Sequence, residues 1–322
     1  MSKEKKLIVG SRNSRMALAQ TNEFISVFLE ANHSFKAENI EIKPIATSGD
    51  INQKDRLDLI GGKGLFVKEI ERKLLNKEID VAVHSMKDVP TVMTPGLKIA
   101  SWLARGDERE VLIGDTNKTL MELEPGSIVG TSSIRRRSQV LSLRRDLYIK
   151  IIRGNVDTRI RKLDQGQYTA LILGFGGIKR LRLEDRVAQI FSTNEILPPA
   201  CQASIGVQTI NEDSELINLI ANTNHKNTSI IGLAERKVLE TLEANCNSPI
   251  GVFASIKNEE IITIKVELFN HDGNEKYTAT VSGIIENYVS LACDVGNKII
   301  DQVGLEYIKK LDNLKNDFNY SP

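Results

Sequence analysis

Short apolar runs bounded by Gly, Ser or Asp alternate with longer amphipathic stretches through the first two-thirds of the chain, and no other feature constrains its fold as tightly. Leu7 to Val9, Ile40 to Ala46, Ile79 to Val83, Ser127 to Val129 and Ala170 to Leu173 have the length and composition of strands. Between them, Leu18, Ile25 and Phe28/Leu29 mark one helical stripe and Phe66, Ile70 and Leu74 a second. Thr131-Ser132-Ser133 offers hydroxyls suited to cap a third helix. Helices following strands in this way are the signature of an α/β protein.

The last third has a different pattern. A long helix from about Thr228 to Asn245, with Ile231, Ala234, Val238 and Leu242 on one face, leads to alternating segments around Ile262 to Val266 and Tyr277 to Val281. Asn270-His271-Asp272-Gly273 between those segments reads as a hairpin turn. A final helix, Val289 to Val303, would cover that sheet and form an α+β module, followed by a polar tail, Asp312 to Pro322, expected to be loosely held. The length of 322 residues accommodates three domains.

Charge narrows the function. Lys and Arg number 43 against 42 Asp and Glu, so no global field favours nucleic acid or an anionic membrane, and anion binding must be local. The start, Met1 to Lys6, is polar, and no run approaches the roughly 18 apolar residues of a membrane span. A cytoplasmic location is therefore expected. Cys201, Cys246 and Cys293 are odd in number and widely separated, which does not suit a disulfide framework. His33, His84, His225 and His271 lack metal-ligand spacing, so no metal site is expected.

Basic residues gather at the ends of the strands: Arg12, Lys87, Arg135-Arg136-Arg137, Arg153 and Arg159 flanking Gly154-Asn155, and Lys179-Arg180. Ligands of open α/β sheets bind beyond the carboxyl ends of strands, and the guanidinium fork matches carboxylate or phosphate. Arg144, Arg145, Arg182 and Arg186 are better read as solvated surface charges. Asp88, just past a strand and two residues before Pro90, suits either a general acid and cation stabiliser or an Asx-turn residue. His84 reads as a packed strand-end side chain. Cys246 follows the long helix in a loop, where a thiol could carry a covalent group or be incidental; Cys293 reads as core. Gly61-Gly62-Lys63-Gly64 lacks the spacing of a phosphate loop and reads as a flexible segment, a lid over the site.

Together these segments resemble the porphobilinogen deaminase family over nearly the whole chain. The resemblance is carried by Gly61-Gly62-Lys63-Gly64-Leu65-Phe66, by Asp80 to Pro90, by Gly130-Thr131-Ser132-Ser133-Ile134-Arg135-Arg136, and by Arg153-Gly154-Asn155-Val156 with Arg159. It implies two domains with mixed sheets, like those of periplasmic binding proteins with the site between them, at 1–104 with 200–222 and at 105–199. A C-terminal α+β domain, 223–322, would carry the cofactor cysteine. It also implies a transferase of haem biosynthesis that condenses four porphobilinogen molecules, releasing ammonia, onto a dipyrromethane cofactor, then frees the linear tetrapyrrole hydroxymethylbilane.

By this resemblance Cys246 holds the cofactor through a thioether and Asp88 is catalytic. Lys87, Thr131, Ser133, Arg135, Arg136, Asn155 and Arg159 bind the cofactor, while Arg12, Ser14, Arg153 and Arg180 handle substrate or the growing chain. Each pyrrole carries an acetate and a propionate, which accounts for the arginines. A monomer that passes its product to the next enzyme of the pathway is expected. The chain departs from the family pattern at several points: Ala244-Asn245 precede Cys246 in place of two glycines; Leu197 to Ser204 replaces Leu-Pro-Ala-x-Gly-Gln-Gly-Ala; and Arg15 follows Ser14, where Pro or Lys is usual. Leu59 stands where a lysine is common, and Phe175-Gly176 replace two small residues. Cys201 is thereby the one rival to Cys246 for a covalent role. A solute receptor would need neither Cys246 nor Asp88, and a nucleic-acid binder would need a basic surplus and exposed aromatics.

Overall fold

The computed structural model describes residues 6–46, 67–244 and 248–313, which divide into two compact units: 1–106 with 203–229, and 107–202 with 230–322. The Phe66 position of the second helical stripe, the Gly61 to Gly64 segment and Cys246 all lie outside the described residues.

The first unit is built on β1 (Leu7–Arg12), β2 (Ile40–Ile45), β3 (Val81–Ser85) and β4 (Leu97–Trp102), joined later by a returning strand. The second contains β5 (Glu110–Ile113), β6 (Ile128–Gly130), β7 (Tyr148–Lys150), β8 (Ala170–Gly174) and β9 (Val187–Ile190). The returning strand of the first unit is β10 (Ile205–Ile210). The two five-stranded sheets, β2-β1-β3-β10-β4 and β7-β6-β8-β5-β9, share one order: three parallel strands, one antiparallel, then an edge strand. In each sheet the antiparallel member is the first strand the chain enters on crossing into that unit. These mixed α/β sheets accord with the expected fold class.

Both faces of each sheet are covered, so the central strands are apolar on both sides. In the first unit Leu7, Val9, Val81 and Val83 face one core with Phe24 and Phe28, while Ala82 faces another with Ile70, Leu74 and Ile79. In the second, Leu112 and Ile172 face one core while Val111, Ile113, Leu171 and Leu173 face the other. The helix Arg15–Ala31 buries Ala17, Gln20, Thr21, Phe24 and Phe28. The expected stripe through Leu18 and Ile25 is thus rotated by about one residue, because two aromatics outweigh smaller aliphatics in burial.

The C-terminal part adds β11 (Ile250–Lys257), β12 (Ile261–Phe269) and β13 (Lys276–Ile284) in an antiparallel meander, with the expected turn between the last two. Ile262, Ile264, Val266 and Leu268 are fully buried along β12, facing Ala292, Val295 and Ile299 of the helix Tyr288–Val303. Two expectations change here. Cys293 is only half-buried and Val289 is exposed, so that helix turns a different face inward. Asp312, assigned to a loose tail, belongs to a further helix, Leu305–Asn313, and accepts a hydrogen bond from Ser248.

Candidate active site

In the first unit, the parallel pairing of β1 with β3 delivers Arg12 and the segment after Ser85 to the same sheet edge. β3 ends in a single 3-10 turn, Met86–Asp88. Met86 is buried against Gly206, where a Cβ would fall 2.1 Å from its sulfur, and Met86 N–H donates to Ser204 O at 3.0 Å. This anchored turn leaves the next two side chains, Lys87 and Asp88, exposed. Ser14 starts the adjacent helix, its Oγ accepting from Ala17 N–H at 3.2 Å, which is an N-cap.

Beneath Asp88 lies a buried polar chain. His84 Nε2 meets Gln208 Oε1 at 2.9 Å, Gln208 Nε2 donates to Glu71 Oε1 at 2.8 Å, and Thr94 Oγ1 donates to Glu71 Oε2 at 2.7 Å. Burial pushes the His84 pKa down, only partly offset by Gln208 and by the charges of Glu71 and Asp88. The side chain is neutral and structural, as its strand-end position suggested.

In the second unit β6 runs into Thr131-Ser132-Ser133. Thr131 Oγ1 accepts from Ser133 N–H at 3.2 Å, and Ser133 Oγ accepts from Arg136 N–H at 3.4 Å, capping the helix Ile134–Leu143 as the sequence predicts. Arg135 and Arg136 occupy the first turn of that helix, where the dipole disfavours cations. Glu110, fully buried at the start of β5, offsets this. Arg136 binds it in two-pronged fashion, Nε to Oε1 at 3.0 Å and Nη2 to Oε2 at 2.8 Å. Arg135 Nη2 donates to Oε1 at 2.5 Å, and its Nη1 donates to Leu197 O at 2.7 Å. Burial still pulls the Arg135 pKa down to about 10, Glu110 opposing and Arg136 adding to the fall.

Arg159 completes this group. Its Nε donates to Gly154 O at 2.7 Å, and burial, reinforced by the charges of Arg136 and Arg153, lowers its pKa to about 10. Among the described residues neither Nη of half-buried Arg159 has a hydrogen-bond partner, so a protonated fork remains open. Asn155 is exposed at the start of the helix Val156–Asp164 and makes no side-chain cap bond there. Arg180, half-buried, ends the helix Phe175–Arg180 after β8.

The structure thus collects Arg12, Ser14, Lys87 and Asp88 at one sheet edge, and separately groups Thr131, Ser133, Arg135, Arg136, Arg153 and Arg159. Lys179, read from sequence as part of the anion-binding set, lies 3.0 Å from Asp107, whose other partner is Arg109. These contacts, Arg109 first, hold the Asp107 pKa at about 2. Arg144 is likewise no idle surface charge: it donates to Leu120, Met121 and Leu123 carbonyls and to Asp146.

Glu110 was missed by sequence reasoning. Its signal was an acidic residue opening the otherwise apolar run Val111-Leu112-Ile113, because a carboxylate buried there requires a cation. Cys201 is 1% exposed, with Sγ 3.6 Å from Gly232 O and its N–H donating to Glu235 Oε2 at 2.5 Å. A thiol so enclosed is a poor candidate for a covalent link. Among the described residues no group of His, Cys, Asp and Glu could hold a metal, and no helix is long and apolar enough to cross a membrane.

Comparison with known proteins gives this arrangement a lineage. The family profile described as porphobilinogen deaminase, dipyromethane cofactor binding domain, matches residues 7–218, and that of the porphobilinogen deaminase C-terminal domain matches residues 229–301. The chain belongs to the porphobilinogen deaminase family. Relatives in the family include the porphobilinogen deaminase of Staphylococcus epidermidis, 39% identical over 96% of this chain and 99% of that one. That of Sulfurimonas denitrificans is 37% identical over 96% and 98%, and that of a Geobacillus strain 43% identical over 87% and 89%. Among solved structures, the Bordetella pertussis BvgS VFT2 domain covers 69% of this chain and 87% of its own at 15% identity, with a TM-score of 0.41.

Proposed function

We propose that the chain performs its family's reaction: it condenses four porphobilinogen molecules, with loss of ammonia, on a covalent dipyrromethane, and releases hydroxymethylbilane by hydrolysis. The observation that carries this reading is the arginine group of the second unit, buried at Arg135 and Arg136 and half-buried at Arg159. Arg135 and Arg159 stay protonated at neutral pH even with the pKa lowered to about 10. The half-buried fork of Arg159, with open Nη atoms, favours an anionic, planar partner such as a pyrrole's acetate or propionate. The donor set therefore fits the cofactor.

Cys246 is the attachment point, and Lys87, Thr131, Ser133, Arg135, Arg136, Asn155 and Arg159 hold the cofactor's acidic side chains. When bound, the dipyrromethane supplies the terminal pyrrole carbon that accepts each new ring. Asp88 stands at an exposed position on an anchored turn, where its carboxyl can give a proton to the departing amine and its carboxylate can stabilise positive charge on pyrrole nitrogen. Arg12, Ser14, Arg153 and Arg180 neutralise the carboxylates that arrive with substrate. Thr131 and Ser133 also hold the local backbone, so their contribution combines capping with ligand contact. The three-domain division, a monomeric state and a cytoplasmic location complete the proposal.

The test is the intact mass of protein from a host that makes porphobilinogen, beside Cys246→Ser and Asp88→Asn variants. The expected result is a mass excess of two linked pyrroles in the wild type and in Asp88→Asn, and none in Cys246→Ser. Turnover by Asp88→Asn should fall by about 100-fold or more. An unmodified wild-type mass, or normal turnover by Asp88→Asn, would reject the assignment.

A further inference from the structure

The turn between β12 and β13 makes backbone contact with the helix that carries Arg135 and Arg136. Gly273 adopts φ +68°, and a Cβ placed on it would lie 2.2 Å from Ser138 O and 2.8 Å from Ser142 N. Only glycine tolerates both that conformation and that approach. Two polar contacts flank it: Ser138 Oγ donates to His271 O at 3.2 Å, and Arg137 Nη2 lies 3.5 Å from Asp272 Oδ1. The turn is itself tied down, since His271 Nε2 donates to Leu311 O at 2.9 Å. The next residue, Asp312, receives the hydroxyl of Ser248, which follows Cys246 by two positions in the chain.

We propose that the turn Asn270–Gly273 is a positioning element for the arginine helix. The helix is held on one side by Glu110 and Leu197 through Arg135 and Arg136, and on the other by the turn through residues 137, 138 and 142. Charge-assisted hydrogen bonds weaken steeply with misalignment, so a displacement of the helix by a few tenths of an ångström moves both guanidinium groups off their target. His271, Asp272 and Gly273 touch no ligand in this scheme. They act through the register of the helix, which links the C-terminal sheet to anion binding in the neighbouring five-stranded sheet. The inference rests on the reading that Arg135 and Arg136 bind the cofactor's carboxylates.

The experiment compares the rate at which cofactor-free protein takes up two pyrroles from porphobilinogen, followed by intact mass, with the melting temperature of each variant measured in parallel. Gly273→Ala, which wedges the turn from the helix, should load at least tenfold more slowly. The double variant Ser138→Ala with Asp272→Asn, which loosens the contact without a wedge, should load about threefold more slowly and guards against misfolding of the first. Gly283→Ala, at the end of β13 remote from the turn, crowds Leu291 of the helix Tyr288–Val303 and should lower the melting temperature yet load at the wild-type rate. Wild-type loading by both turn variants, or an equal slowing in Gly283→Ala, overturns the proposal. Arg136→Ala separates the two levels: if it loads normally, the assignment of the arginines is wrong, whereas slow loading by Arg136→Ala beside normal loading by the turn variants removes only the role of the turn.

Discussion

Replacing Glu110 by Gln keeps its shape and removes its charge, leaving Arg135 and Arg136 adjacent and buried with no carboxylate between them. Glu110 is wholly buried and its arginine partners are 3% and 8% exposed, so water cannot take over the lost interaction. Breaking a buried pair by removing one partner typically costs about 3–5 kcal/mol. That is a large share of the ~5–15 kcal/mol that holds a domain folded. The denaturation midpoint in urea, followed on cofactor-free protein, should fall accordingly. A second variant decides between architecture and ligand binding. Glu110→Leu with Arg135→Met and Arg136→Leu removes all three charges together, and apolar replacement of a complete buried ion group is commonly neutral or stabilising. The triple variant should therefore regain most of the lost midpoint while failing to load cofactor. A Glu110→Gln midpoint within about 0.5 kcal/mol of wild type would refute the energetic reasoning, and a triple variant that loads normally would refute the functional one.

Other outcomes follow from the same geometry. Burial lowers the pKa of both His84 and His271, so below the ordinary histidine value of about 6.5 the unfolded chain binds protons the folded one refuses. Stability should be level above that pH and fall as pH drops beneath it, by at most about 1.4 kcal/mol per unit per histidine, and a flat melting profile from pH 7.5 to 5 would contradict this. Ala203 holds φ +62° where the family usually has glycine. Ala203→Gly should raise stability by about 0.5–1 kcal/mol, the strain released exceeding the added chain entropy, and a lowered urea midpoint would count against it. Cys201→Ser should retain turnover, and Cys201, 1% exposed, should resist alkylation in the folded protein; rapid labelling would contradict its enclosure.

The parts of the fold visible in the sequence were those whose side chains vary only between apolar and polar. β1, β2, β3, β6 and β8 are short runs of that kind, and the β12–β13 hairpin carries its own turn signal at Asn270 to Gly273. β10 was hidden because Gln208 and Thr209 interrupt it. Both are wholly buried, Gln208 bonded to His84 and Glu71 and Thr209 to the Asp80 carbonyl, partners more than a hundred residues away that no local pattern discloses. β7 was too short to see, and β11 follows Pro249 with a glycine inside it. For the site, clustered arginines at strand ends were legible as an anion-binding set, because strand and helix punctuation fixes where such ends lie. Their partition was not. That Lys179 faces Asp107, and that Arg135 and Arg136 share Glu110, depends on strand order in the β7-β6-β8-β5-β9 sheet, which places residue 110 beside a helix that begins 24 positions later.

Strand order also dictates when each sheet can be finished as the chain leaves the ribosome. The sheet of the second unit has all its strands once residue 190 is made, with no strand borrowed from later sequence. The sheet of the first unit has a gap between β3 and its edge strand β4 until residues 205–210 emerge, because β10 lies there and, among the described residues, is the sole strand to which β4 is paired. Of the two five-stranded sheets, the one begun first is thus completed second. Until then Val83 and Leu103 await Ile205 and Val207, and an edge of β3 stands open to mispairing. A nascent chain arrested so that residues up to about 195 have cleared the ribosomal tunnel should already protect the β5–β9 region from protease while the β1–β4 region is cut, and the reverse pattern would show that the first unit closes by another route.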